Sequence, residues 1–411
     1  MRHYHTGLWS NSDFVKLWLG QTISQFGSGI TGIALPLTAV LILAATPAQM
    51  GILGALDGVS VLVIGLLAGV LVDRVRRRPL LLATDLGRVC ILGTIPLAAL
   101  LGVLGLWQLY IVAVLAGMLT VLFTVAHSAY LPSLIPQGSL VEANSKLAMS
   151  DALAEISGPA VAGPLVQLIN APFALLFDAL SFLFSACCLG LIHTPESPPP
   201  AIEQRKSIWS DLVEGLRFVL KNPLLRALIG SAGTFSLFGN FIGALYVLYV
   251  IRQIDAPPIF LGFLVATGGV SALVGAFMAE RVVLRFGPGR TVGMGLFMYG
   301  ATSLLIPLAG GSVTLALSLL FLSQILGDAS VSIYLIAEVS LRQFIIPANM
   351  RGRANASMQL LSQGVAPLRA LLGGILGGMI GLRLTILIGV LGVMLAGTWL
   401  LLSPVRKYPD H

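Results

Sequence analysis

Among the ionisable residues inside the long apolar runs of this sequence, Asp57, Asp151, Glu155, Asp178, Asp328 and Arg369 read as the deep ones. A charge held in an apolar setting costs on the order of a few kcal/mol, so such groups face a cavity or a partner. Desolvation favours the neutral form of a carboxyl, and a neighbouring guanidinium favours the charged form. A carboxylate that alternates between those surroundings takes up a proton in one and releases it in the other. Asp328 and Arg369 lie near the middles of successive apolar runs and are expected to pair, either as a proton-linked switch or as a static buried salt bridge. Asp57 and Glu155 are the alternative coupling groups, earlier in the chain. Asp151 and Glu155 are four residues apart and share a helix face. Asp178, in the phrase FDALSF, is expected to cap or pack. His127 stands alone, which suits a satisfied polar neighbour better than a proton relay.

Other chemistries lack their residues. The five histidines (3, 5, 127, 193 and 411) offer no pair of metal ligands within one apolar run. There is no Gly-x-Ser-x-Gly nucleophile motif and no Gly-x-x-x-x-Gly-Lys-Ser/Thr phosphate loop. The expectation is therefore no metal, no cofactor and no enzyme, with ATP not the direct energy source. Cys90, Cys187 and Cys188 all fall in apolar runs and read as small apolar side chains rather than a disulfide framework.

The elements that hold these residues follow from composition. The chain is 56% hydrophobic and only 10% charged, where soluble proteins carry about 25% charged residues. An apolar exterior is possible only in lipid. A span needs roughly 20 apolar residues. Twelve runs qualify: 14–44, 48–72, 79–105, 107–127, 146–169, 172–193, 224–250, 259–280, 291–309, 313–338, 354–380 and 383–403. The first is expected to serve as an uncleaved anchor. With both ends in the cytoplasm, 21 of the 24 Lys and Arg, Arg88 among them, fall on or beside the cytoplasmic side. Arg252 and Arg383 fall outside, and Arg369 falls within a span. The net charge of +7 is thus a topology signal, not a nucleic-acid footprint.

A polar stretch, 194–223, divides six spans (1–193) from six (224–411). It opens with Pro195, Pro198, Pro199 and Pro200. Ile208, Leu212, Leu216 and Val219 then recur at helical spacing, predicting an amphipathic helix on the membrane face. The two halves repeat. Pro136 and Asn144 precede the fifth span as Pro347 and Asn355 precede the eleventh (347−136 and 355−144 both give 211). Asp73-Arg74 and Glu280-Arg281 close the second and eighth spans at an offset of 207. Internal repeats of this kind characterise transporters.

The loop after the second span reads GVLVDRVRRR. Gly69, Asp73, Arg74, Arg77 and Arg78 match the loop motif of the major facilitator superfamily, with Arg76 where that motif has Gly. The chain therefore resembles that superfamily. The implied fold is all-α and membrane-integral, with twelve transmembrane helices in two pseudo-symmetric six-helix bundles. In the fifth span Gly158, Pro159 and Gly163 resemble the Gly-Pro-x-x-Gly motif of superfamily exporters. FVKLWLGQTISQFGSGI, AYLPSLIP with EANSKL, FDALSF and DLVEGLRFVLKNPLLR are similar to the macrolide-efflux and enterobactin-exporter branch. Two departures matter. Ser28 follows Gln25-Phe26-Gly27 where that branch often has Asp, and the fourth span carries no Arg.

Gln21, Ser24, Gln25, Ser28 and Thr31 form a polar stripe at helical spacing that is ill-suited to lipid. The resemblance implies that spans one, four, seven and ten line a central cavity. Gln21, Gln25, Ser28, Thr124, Asn240 and Gln324 are then candidate lining groups, with Thr120 beside them and Phe238, Tyr246 and Tyr249 available to stack on an apolar substrate. Asp73 is the expected gate residue. The function implied is proton-coupled efflux of amphipathic small molecules from a bacterial inner membrane. The expected partners are a small-molecule substrate, protons and membrane lipid, with no nucleic acid, and the protein acts as a monomer. A siderophore or metabolite exporter, a lipid scramblase and a non-transporting receptor remain open alternatives.

Overall fold

The computed structural model describes residues 8–194, 208–347, 350, 354, 357–358 and 366–407. Those residues form an all-α membrane protein. The helices are α1 (Ser12–Leu37), α2 (Pro47–Arg74), α3 (Arg77–Leu100), α4 (Leu106–Leu134), α5 (Leu140–Ile169), α6 (Ala171–Gly190) and α7 (Ile208–Lys221). There follow α8 (Pro223–Leu248), α9 (Pro258–Phe286), α10 (Pro288–Ser303), α11 (Leu305–Leu308), α12 (Val313–Ile345), α13 (Ala366–Ile380) and α14 (Leu382–Leu402). Among the described residues, 11 helices are long and apolar enough to cross a membrane. Of the expected span 354–380, most of 354–365 lies outside the described residues, and α13 covers the rest. The lipid-facing exterior is apolar, with Trp107 79% and Phe277 82% exposed.

The helix starts are encoded locally. Asn11 accepts the amides of Asp13 and Phe14, each at 3.1 Å, and Asn222 caps α8 in the same way, with Pro223 at the first helical position. Asn11 also donates to Leu134 O at 3.0 Å, fixing the start of α1 to the end of α4. The end of α6 is held by cations, as exposed carbonyls require. Arg78 donates to Leu189 O and Gly190 O, and Lys16 donates to Leu191 O at 2.8 Å. Asp13 then accepts the amides of His193 and Thr194.

The repeat of 211 residues holds through the backbone. A single π-helical turn ends α1 at Thr38–Ile42, and another ends α8 at Tyr249–Gln253. Ala44 and Asp255, the next mates, both have positive φ, 49° and 57°. Asn170 (φ 71°) joins α5 to α6, and Gly381 (φ 89°) joins α13 to α14 at the equivalent place.

The chain packs as two compact units. One comprises residues 1–45, 56–201 and 261–266; the other comprises 46–55, 202–260 and 267–411. Each unit thus includes the start of a helix from the other half of the sequence. A buried core in the first gathers Phe14, Leu17, Leu81, Phe123, Tyr130 and Leu189. One in the second gathers Leu225, Leu228, Leu296, Tyr334, Leu341 and Val393. The helix α7 forms where the sequence predicts an amphipathic helix, but its Val219 is fully buried in that second core, so protein covers part of its apolar face.

Candidate functional site

Both units build the same helix crossing, and each places a carboxylate in it. In the first unit Ser60 on α2 donates to Val114 O on α4 at 2.9 Å. Its mate in the second unit, Ser271 on α9, donates to Ile325 O on α12 and accepts the Ala329 amide at 3.0 Å. Small residues permit such close approach. One turn away lie Asp57 on α2 and Gly117 on α4; a Cβ on Gly117 would sit 2.7 Å from Ser60 Oγ, which takes most of that space, and 3.9 Å from Asp57 Oδ1. In the second unit the two residue types change places. Gly268 stands on α9 at the position of Asp57, and Asp328 stands on α12 at the position of Gly117. The missing Gly268 side chain makes the space that Asp328 Oδ2 and Gln324 Nε2 occupy. Each unit therefore has one carboxylate and one glycine notch, on opposite helices. Asp328 also lies within electrostatic reach of Tyr246 and Tyr299, and among the described residues the buried Tyr246 hydroxyl has no hydrogen-bond partner.

Asp328 and Arg369 do not pair. No ion pair joins them among the described residues; the buried Arg369 donates through Nη1 to Ser236 Oγ on α8. Opposite charges in successive spans fix their depth but not their helix faces, and Asp328 turns toward α9. Asp57 and Glu155 are exposed, and Asp151 takes a hydrogen bond from Gln25.

The proposed lining groups divide. Gln21 has a buried carbonyl oxygen with no hydrogen-bond partner among the described residues. Ser28 and Gln324 are half-buried, while Thr120 and Thr124 lie on an exposed face of α4. Asn240 donates back to Ser236 O at 2.7 Å. Two aromatic candidates belong to packing instead. Tyr249 is fully buried and donates to Ile306 O and Ala309 O, and the Phe238 ring fills the space over Gly392.

The Gly-Pro segment of α5 is a packing plate. A Cβ on Gly158 would lie 2.8 Å from Gly29 Cα of α1. Gly163 meets Gly262 at the start of α9, where a Cβ on Gly262 would sit 2.9 Å from Gly163 N and overlap Pro159 O. The mates of that contact meet too: a Cβ on Gly51 would lie 2.8 Å from Gly374 Cα and 2.7 Å from Ala370 O. In the loop motif, Gly69 and Asp73 lie in α2, Arg74 ends it, and Arg77 begins α3. The Asp73 side chain is outside the described residues. Arg78 sits on the α6 carbonyls named above.

The sequence reading missed one cluster. Arg88, counted there with the cytoplasmic cations, is buried midway along α3 and donates to Asp85 Oδ1 at 2.5 Å. Its guanidinium lies 3.8 Å from the Phe182 ring centroid and 4.6 Å from that of Phe123. Asp178, 1% exposed, accepts from Thr31 Oγ1 at 2.5 Å and Ser181 Oγ at 3.0 Å. The signal was present: Asp85 and Arg88 are three apart inside an apolar run.

A family model described as transmembrane secretion effector matches residues 8–410. The chain is 26% identical over 394 residues to an uncharacterised MFS-type transporter, YfiS, of Bacillus subtilis (strain 168), covering 93% of this chain and 91% of that protein. It is 28% identical over 410 residues to the enterobactin exporter EntS of Escherichia coli O127:H6 (strain E2348/69 / EPEC), covering 96% of this chain and 92% of the other. The fold matches a bacterial homologue of the iron transporter ferroportin in an inward-facing state, with TM-score 0.77 at 18% identity over 96% of this chain and 99% of that one. It also matches the nucleoside transporter NupG, with TM-score 0.77 at 12% identity over 97% of this chain and 100% of that one.

Proposed function

Because this chain belongs to the transmembrane secretion effector family of the major facilitator superfamily, we propose that it exports amphipathic small molecules of drug or macrolide type by alternating access, driven by protons. The observation that carries proton drive is the doubled notch: one carboxylate per unit, Asp57 and Asp328, each beside a facing-helix glycine at symmetry-related places. An intramembrane carboxylate without a cationic partner is held for function rather than for stability. In this reading Gln21, Gln25, Ser28, Thr124, Asn240 and Gln324 meet the substrate. The Gly158-Pro159 segment supports export over import. The enterobactin-exporter relatives favour a second reading, export of a siderophore or related metabolite.

The test is transport in proteoliposomes under an imposed pH gradient, with a panel of macrolides, lipophilic cations and siderophores. Gradient-dependent movement of one class supports the reading; movement that ignores the gradient refutes proton drive. Asp73→Asn is expected to slow that transport with membrane insertion unchanged, and a wild-type rate would remove Asp73 as a gate residue. The Lys and Arg distribution supports cytoplasmic ends; a C-terminal reporter active only outside would overturn that orientation.

A further inference from the structure

The cluster of Asp85, Arg88 and Asp178 has one cation for two carboxylates. All three side chains are at most 5% exposed, among α1, α3, α4 and α6. Arg88 lies within electrostatic reach of both carboxylates, and Ser185 is hydrogen-bonded to Asp85. Even so, among the described residues Asp85 Oδ2 and Arg88 Nε remain buried without hydrogen-bond partners. Among the described residues, neighbouring elements supply no second cation to this cluster: Arg78 of α3 sits on the α6 carbonyls and Lys146 of α5 pairs with Glu142. Asp13 and Lys16 of α1 are engaged with each other and with the end of α6. His127 of α4 stacks on Phe123 on that ring's own helix. The charged groups of α5 at this level are Asp151, bonded to Gln25, and the exposed Glu155. With both carboxyls ionised, one negative charge would stay uncompensated in a buried setting, which is a costly arrangement.

Packing does not require these charges. The second unit builds the same helix crossing at positions 211 residues on. There Asp85 is replaced by Leu296, Arg88 by Tyr299, Asp178 by Gly389 and Ser181 by Gly392. The space is filled by the ring of Phe238, whose own mate in the first unit is Gly27. A Cβ on Gly27 would sit 2.6 Å from Asp178 Oδ1. One unit seats a carboxylate where the other seats a phenyl ring, and buried ion pairs are commonly replaced by apolar groups without loss of stability. A metal ion fits poorly, because the guanidinium already holds the cationic place beside Asp85.

We propose that the Asp85–Arg88–Asp178 cluster binds one exchangeable proton, and that its occupancy sets the packing of α1 on α6 through Thr31. With the proton absent, the Thr31 hydroxyl donates to the Asp178 carboxylate. On uptake of a proton from water, Asp178 becomes a neutral carboxyl and donates, and Thr31 Oγ1 accepts; release returns the proton to water and restores the first arrangement. Thr31 belongs to the polar stripe of α1, so the exchange reaches a helix assigned to the cavity. This link to transport rests on the proton-driven reading above; the proton site itself does not.

The test is infrared difference spectroscopy of the full-length protein in detergent, following the carboxylic-acid C=O stretch between acid and alkaline buffers in H2O and D2O. Wild type is expected to show a protonated carboxyl that is lost on the alkaline side. Asp178→Asn is expected to remove that band, and Asp57→Asn/Asp328→Asn to retain it. Thr31→Val, which keeps the side-chain shape, is expected to keep the band and displace its midpoint. A band unchanged in both Asp178→Asn and Asp85→Asn would reduce the cluster to a static ion pair. Should those variants not fold, an unmoved midpoint in Thr31→Val overturns the proposal equally. An intact band with no gradient-driven transport would refute proton-driven export while leaving the site standing.

Discussion

Asp328→Asn is expected to abolish pH-driven accumulation while leaving the protein folded. A gradient of one pH unit stores about 1.4 kcal/mol per proton, enough for a tenfold accumulation of substrate. Without a titrating group that ratio falls to about one. Stability is expected to stay within about 1 kcal/mol of wild type, since Asn keeps the shape and no buried cation is orphaned; Arg369 rests on Ser236, not on Asp328. Asp57→Asn, at the mate of the Gly268 notch, is the companion variant. If the two carboxylates act in one proton-transfer step, Asp57→Asn is expected to abolish pH-driven accumulation as Asp328→Asn does. Wild-type accumulation in the double variant, at equal protein and gradient, ends the case for both.

Filling the paired glycine crossings should be as damaging as removing the carboxylates. At Gly262 a side chain collides with backbone, Pro159 O and Gly163 N, which cannot rotate away, and at Gly51 it collides with Ala370 O and Gly374 Cα. Overpacking of this kind costs about 1–3 kcal/mol, which depopulates the conformation described here by roughly 5- to 150-fold. Gly262→Val and Gly51→Val are therefore expected to lower the transport rate by similar factors, because the two sites are mates. Gly54→Ala is the control: its Cβ meets only Ala370 Cβ at 3.5 Å, an ordinary contact. Rates for both valine variants within twofold of the control would show that the close crossings are dispensable.

The sequence made the membrane class and the positions of 11 spans legible, because length and hydropathy report directly on lipid exposure. Helix faces were less so. Asp328 and Arg369 were placed at matching depths, and depth says nothing about rotation about the helix axis; the packing of α12 on α9 settles that. Arg88 was misjudged because a basic residue a few turns from a helix end counts as a topology signal until its partner, Asp85, is noticed on the same face. The 211-residue offset was visible in prolines and asparagines alone. Applied residue by residue, it also relates Asp57 to Gly268 and Gly117 to Asp328, and it sets the charged cluster against its apolar counterpart.

The unit that holds residues 56–201 is not complete until residues 261–266 join it. Synthesis at about 5–20 residues per second puts roughly 3–13 s between those points. For that interval the α5 face at Gly163 is made but waits for the glycine that covers it. Meanwhile the start of α2 waits for α13, whose Gly374 is among the last spans to leave the ribosome. Neither unit is closed by its own stretch of chain, so the order of translation and the order of packing differ. A transcript stopped just before codon 261 leaves the first unit unfinished, while one extended past codon 266 supplies its missing edge.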